Sequence, residues 1–349
     1  MKRAEWIDSC RFLAIFVIMV THFIASVRPD VLLLWETGFS SWLLYGLTGK
    51  FSVAFFFVLL GYFASKPASF NAKAFGSYIL RRYFQFAFYI FLCTVIFIAG
   101  SYAVTWFFHT PEGEVLRVIS DGLKYNVIYL LRDSLLFEDN YNATLWCMQQ
   151  LFAASLICKG FAFIPEKMSP ALRFAVSAIV IILLLAVNAE FFVWVCAAIL
   201  GYILRLCLAW LETKPGFPQK ALVCFSLAAA LLLIKLRLNE GLLQYSLQAI
   251  AAFLLILAQF NLPQVQRWLS SPPLPWLGGI SMGLFVAHTP VYCVFYSSLY
   301  PLLCRIMGET PAQLLYFIVS IAACIFCAWL LSRMHTAAVK LFSRKTVSV

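Results

Sequence analysis

About ten times along this chain a run of roughly twenty residues passes with almost no charge in it, which is the length of apolar helix that crosses the hydrocarbon of a bilayer. The runs fall at about 9 to 28, 42 to 64, 84 to 108, 144 to 163, 171 to 189, 191 to 210, 220 to 236, 243 to 260, 276 to 299 and 312 to 333. Lipid offers no partner to backbone N–H and C=O groups, so a spanning segment is either a helix or part of a closed barrel. The two-residue alternation of a barrel strand is absent. The expected fold is therefore an all-α integral membrane protein, a bundle of about ten transmembrane helices. Composition agrees: of 349 residues, 63% are apolar and 12% charged, where a soluble domain has roughly 45–50% and 25%.

With the N-terminus inside, ten spans place eighteen Lys and Arg against four acids on the inner side, and seven against eleven on the outer side. This asymmetry predicts that both termini are cytoplasmic. The net charge of +11 then belongs to the inner face, where it suits anionic headgroups or an anionic cytosolic ligand; no nucleic-acid motif is present. "MKR" before an apolar run imitates a secretory leader, but Asp8 and Arg11 interrupt it, and an uncleaved first helix is expected. Short connections leave no room for a second domain, so residues 1–349 read as one membrane domain. The long exception is an external connection, residues 109–143, with six acids and three bases. In it Leu116, Ile119, Leu123, Val127 and Leu130 recur at helical spacing, which predicts an interfacial helix. The eleven cysteines lie mainly in apolar runs, where cysteine acts as a small hydrophobe, and Cys324 with Cys327 has no companion ligands for a metal site.

Ionisable groups inside apolar runs are costly, which makes them the candidates for function. Arg11 and His22 are eleven residues apart, three helical turns plus about 20°, with a rise of about 16 Å. One stripe of the first helix thus joins a guanidinium near the inner surface to an imidazole in the outer half. Asp8, three residues before Arg11, is placed to pair with it. Taken alone, Arg11 is read equally well as a side chain that snorkels to headgroups. "YILRRYFQF" sets Arg81 and Arg82 at the inner mouth of the third span, where ordinary positive-inside anchors also stand. "LTGKFSVAFFFVLLGYF" puts Lys50 near the outer end of the second span and Gly61 near its inner end, where a small residue lets another helix approach. "NATLWCMQQLF" opens the fourth span with Trp146, Gln149 and Gln150, and the glutamines are expected to face protein. In "LGGISMGLFVAHTP", Ser281 and His288 are seven apart and share a face, which fits a functional pair as well as a hydrogen bond between spans. His22 and His288 are the two of four histidines inside spans. A neutral imidazole accepts a proton from a hydroxyl, which points to group transfer or proton-coupled transport.

These segments resemble the acyltransferase 3 family of multi-span membrane acyltransferases over nearly the whole chain. "IDSCRFLAIFVIMVTHF" is similar to the family's Asp, Arg and ten-residue gap to His. "GKFSVAFFFVLLGYF" is similar to its phenylalanine-rich second helix ending in Ser-Gly, "RRYF" to its basic inner loop, "LWCMQQLF" to the Leu-Trp that opens its fourth helix, and "LGGISMGLFVAHTP" to its late Ser and His-x-Pro helix. The resemblance implies ten helices with cytoplasmic ends, and transfer of an acyl group, commonly acetyl from acetyl-CoA, to a hydroxyl of a glycan or other acceptor. It implies His22 as the catalytic residue, either general base or transient acyl carrier. It implies Arg11, Arg81 and Arg82 as ligands of the acyl-CoA phosphates, Asp8 as the holder of Arg11, and Ser281, His288, Trp146 and Lys50 as supporting residues. Acetyl-CoA or another acyl-CoA is then a substrate, with no permanently bound cofactor and no metal. The partners implied are acyl-CoA, a glycan or lipid-linked acceptor and membrane lipids, in a multi-pass protein of the cell (plasma or inner) membrane. The chain departs from the family pattern at Leu60, where a Ser precedes the Gly; at Gln85, where a second arginine is expected; and in the glutamines of the fourth helix, where many members have an acid. Without an appended extracellular hydrolase-like domain, a stand-alone enzyme is expected.

Two other readings compete. A transporter or exporter of a glycan or lipid-linked intermediate would use His22 and His288 as a proton relay, but the paired broken helices of inverted repeats are not found. A lipid-linked-sugar glycosyltransferase would want a carboxylate base in an outer loop, and the first such loop offers only Asp30 and Glu36, well separated.

Overall fold

The computed structural model describes residues 5–27, 49–66, 69–108, 113–136, 140–141, 145–165, 167–214, 217–236 and 241–345. Asp30, Glu36 and both ends of the 109–143 connection lie outside the described residues. Among those described the chain is helical and has no strand: α1 (Glu5–Val27), α2 (Gly49–Ala64), α3 (Ala72–Phe108), α4 (Gly113–Ser134), α5 (Leu145–Phe161), α6 (Pro170–Glu212), α7 (Gln219–Lys235), α8 (Leu242–Phe260), α9 (Pro263–Leu269), α10 (Leu274–Gly279), α11 (Ser281–Met307) and α12 (Glu309–Lys345). Six of these, α1, α3, α6, α8, α11 and α12, are long and apolar enough to cross a membrane, while α2 and α7 are apolar but shorter. The runs at 171–189 and 191–210 form one element, α6, broken at Asn188, whose backbone is extended (φ −160°, ψ 99°). The Asn188 side-chain oxygen accepts from the Phe191 N–H at 3.0 Å. One asparagine therefore ends the first half and caps the second.

The chain forms two compact units, Met1–Ile79 with Gln150–Pro275 and Leu80–Gln149 with Trp276–Val349. In the first unit α2 is central. Phe51 to Phe55 and Phe57 to Gly61 are all buried, as expected of a helix that is apolar around its whole circumference. It is flanked by α1, α6 and α8. Its tightest contact is with α6: a Cβ placed on Gly61 would lie 1.7 Å from the Ala198 carbonyl oxygen, and one on Gly201 would lie 2.0 Å from that of Val58. The two backbones touch, and only glycine leaves room for that.

In the second unit α11 pairs with α12, and a Cβ on Gly283 would meet the Ala328 backbone at 2.8 Å. The expected interfacial segment forms α4, but not as one unbroken helix. It breaks at Gly122, whose φ of +71° lies in the left-handed region that glycine tolerates. The residues α4 buries are Val115, Val118, Asn126, Asp133 and Ser134, while Leu116, Leu123 and Val127 are exposed. The apolar stripe read from spacing thus points away from the protein. A polar cluster anchors the other face. The Tyr141 hydroxyl reaches Asp121 Oδ2 at 3.1 Å and also Asn126 Oδ1, and the Asp133 carboxylate accepts from the Asn140 and Tyr141 N–H groups at 3.0 and 3.3 Å. Burial, and then the Asp121 carboxylate, push the Tyr141 phenol above its ordinary range.

The glycine crossing gives a direct test. Gly61→Ala and Gly201→Ala force the α2 and α6 backbones apart and should each destabilise the protein by about 1–3 kcal/mol, the cost of overpacking a close contact. Gly76→Ala, where nothing lies within 4 Å, should be neutral or stabilising by about 0.5–1 kcal/mol. Thermal unfolding of the three variants in one detergent checks both.

Candidate active site

The first unit has chemistry at two ends. At one, Asp8 on α1 holds Arg11 through a 3.3 Å contact from Nη1 to Oδ1, the i,i+3 pair expected from spacing. The Arg11 guanidinium lies 5.4 Å from the centre of the Phe63 ring, in the last turn of α2. Beside it, Arg205 of α6 stands over the Tyr62 ring at 4.5 Å. Arg205 donates from Nε (3.1 Å) and from Nη2 to the Tyr62 carbonyl, one of the last carbonyls of α2, which have no partner further along the helix ladder. Phe260 of α8 packs on Tyr62 with centroids 4.9 Å apart, and Trp6 of α1 packs on Phe260 at the same separation. Two arginines from different helices therefore rest on consecutive aromatic residues of a third.

At the other end Lys50 opens α2. Its Nζ donates to the Tyr245 hydroxyl at 3.2 Å and lies 5.1 Å from the Tyr245 ring centre. Trp194 of α6 is 5.1 Å from that ring and 6.3 Å from Phe57 one helix over. Gly49, next to Lys50, faces the Thr21 side chain of α1, and Thr21 precedes His22. The two ends are joined by α1 itself. Between Arg11 and His22, successive residues of the same stripe are Ile15 and Ile18, buried to 0% and 3% exposure, so the middle of the stripe faces protein. Arg11 at one end is half-buried and His22 at the other is exposed.

The remaining expected residues belong to the second unit. Arg81 is exposed. Arg82 lies over the Phe86 ring at 4.8 Å and donates to Gln85 Oε1 at 2.8 Å. Gln85, which stands where a further arginine was expected, thus positions a charge instead of adding one. His288 is fully buried. Its Nδ1 faces the carbonyls of Phe285 at 2.8 Å and Leu284 at 3.3 Å, and since carbonyls only accept, Nδ1 is the donor. Ser281 is buried two turns earlier on α11, and Trp146 at the start of α5 is 37% exposed. An apolar crevice of about 130 Å³ opens between α3, α11 and α12, lined by Cys93, Phe97, Pro290, Val294 and Cys327 among others; it presents no polar chemistry. Of the predicted glutamines, Gln150 is buried and its Oε1 has no hydrogen-bond partner among the described residues.

Arg205 and Tyr245 escaped the sequence reading. Arg205 had counted only as one more inner-side cation, although its place inside "LGYILRLCLAW", seven residues before the end of α6, was a usable signal. Tyr245 carries none, since a tyrosine in an apolar run is ordinary.

One end of this arrangement suits an anion and the other a proton acceptor, held apart by a single apolar helix stripe; that division fits transfer between a charged donor and a neutral hydroxyl. Over residues 4–333 the chain matches a family model described as an acyltransferase domain. No curated protein and no solved structure matches it. With that match spanning nearly the whole sequence of an apolar helical chain, the protein belongs to the acyltransferase 3 family and is a membrane acyltransferase.

Proposed function

We propose that the protein takes an acyl group, acetyl in the simplest case, from cytosolic acyl-CoA and places it on a hydroxyl of a cell-surface glycan or related acceptor. In this reading ten spans carry both termini to the cytoplasmic side of the cell membrane, which puts the Arg11 end inside and the His22 end outside. The observation that carries the reading is the α1 stripe, cationic at one end and imidazole at the other, with buried Ile15 and Ile18 between them. In the first unit Arg11 is the proposed ligand of the donor phosphates, for which guanidinium offers paired N–H donors; Arg81 and Arg82 are the candidates that the second unit offers. His22 works on the acceptor hydroxyl. As general base it removes the hydroxyl proton while the oxygen attacks the thioester carbonyl; a C–O bond forms, the C–S bond breaks, and the proton passes to the departing CoA sulfur. As a carrier, the imidazole displaces CoA first, forming a C–N bond that the acceptor oxygen then breaks. Lys50, Trp146, Ser281 and His288 shape the acceptor side. Export of a glycan without acylation is the competing reading, and family membership favours transfer.

Labelled acetyl-CoA supplied to membranes tests this by the appearance of label in polysaccharide or lipid fractions. His22→Ala should keep the melting temperature of the parent and lose about 10²- to 10⁴-fold in turnover, the usual worth of a positioned acid or base; unchanged turnover by the purified variant removes His22 from the chemistry. Samples denatured rapidly near neutral pH before acceptor is added should contain acyl-protein that is lost in His22→Ala only if His22 is a carrier. Arg11→Ala should raise the KM for acetyl-CoA roughly tenfold, the loss of a charge-assisted hydrogen bond, with little change in the acceptor KM; an equal effect on both overturns its assignment to the donor.

A further inference from the structure

Arg205 is a charged group of the first unit that the proposed chemistry leaves unused. It lies seven residues before the end of α6, about 10 Å inside that helix by its rise. That is deeper than a cation needs to sit if it only anchors the helix at the surface. Capping α2 uses Nε and Nη2 on the Tyr62 carbonyl. Nη1 makes no hydrogen bond to the described residues, and the side chain is half-buried rather than closed off. One face of the guanidinium rests on Tyr62 at 4.5 Å. The next residue, Phe63, carries Arg11 at 5.4 Å, and the Tyr62 and Phe63 rings are 5.2 Å apart, edge to face. Tyr62, Phe63 and Phe260 are themselves half-buried. Asp8 already pairs with Arg11, and the nearest acid along α6 on the Arg205 face is Glu212, two turns further on.

We propose that Arg205 is a donor-binding residue: with Arg11 it forms a two-guanidinium shelf on Tyr62 and Phe63 that holds the phosphate and nucleotide end of acyl-CoA. Guanidinium edges give paired contacts to phosphate, and aromatic and guanidinium faces together suit a nucleobase. The ring under each arginine and the carbonyl under Arg205 hold the charges in place before the ligand arrives, so less side-chain freedom is lost on binding. The inference rests on the acyl-CoA reading and adds to it a residue from a different helix.

The test is calorimetric titration of the full chain, reconstituted in lipid nanodiscs, with CoA and with CoA lacking its 3′-phosphate. The parent should bind CoA, and Arg205→Gln should bind it about tenfold or more weakly, the equivalent of one charge-assisted hydrogen bond. The same variant should discriminate less between CoA and the form lacking the 3′-phosphate. Arg205→Lys keeps a cation over Tyr62 but loses the fork, and it serves if the glutamine variant does not fold. With a melting temperature near that of the parent it should still bind CoA several-fold more weakly. Parent-like affinity in either folded variant overturns the role of Arg205 and leaves the donor reading standing. A parent chain that does not bind CoA at all overturns the donor reading itself.

Discussion

The contact on which the first unit depends is the crossing of α2 and α6, where Gly61 and Gly201 bring two backbones together. Helices that meet through long side chains can slide by part of a turn and repack. Here a carbonyl of each helix occupies the space where the other would carry a Cβ, so their axial register is set by backbone atoms. From that register follow the position of Arg205 over Tyr62, one residue beyond Gly61, and of Trp194 against Phe57, about one turn to its other side. Both polar ends inherit their height in the bundle from the same pair of glycines.

Those ends are about 20 Å apart along α2, by its rise between Lys50 and Phe63. At one end the Tyr62 carbonyl and the Tyr62 and Phe63 rings lie against the two arginines, with the Asp8 carboxylate on Arg11; at the other the Tyr245 phenol and its ring lie against Lys50. Rings and carbonyls steady a guanidinium or ammonium without cancelling its charge. Arg205, which makes no ion pair with the described residues, keeps its charge available to a ligand, whereas a full ion pair largely cancels it. Between the ends the α1 stripe offers Ile15 and Ile18 and no polar group.

Much of this was legible in particular residues. Three-residue spacing gave the Asp8–Arg11 pair, and the small residue at Gly61 announced a close helix approach, because both are local features of one helix. The partner of Gly61 was not legible, since Gly201 lies far away in sequence and several other glycines looked equally suitable. The runs at 171–189 and 191–210 were read as separate spans, and only the structure shows that they form a single element with a cap at Asn188 in its middle. The stripe on α4 was read with the right period, but which side of it meets protein depended on Asn126, Asp133 and Tyr141, polar residues that bury because they satisfy one another.

The sequence by itself determined that the chain is helical and membrane-embedded, which family it belongs to, and which α1 residues share a stripe. Those properties follow from composition, motif spacing and the 3.6-residue turn, all of which act within one segment. Tertiary structure alone decided that Arg205 stands beside Arg11's aromatic neighbour and that Lys50 is held by Tyr245. Each of these depends on the side-chain geometry of a folded helix or on where a distant helix crosses. In a chain that is 63% apolar, hydrophobicity brings helices together without saying which ones meet; the fit of backbone to backbone at a few small residues makes that choice.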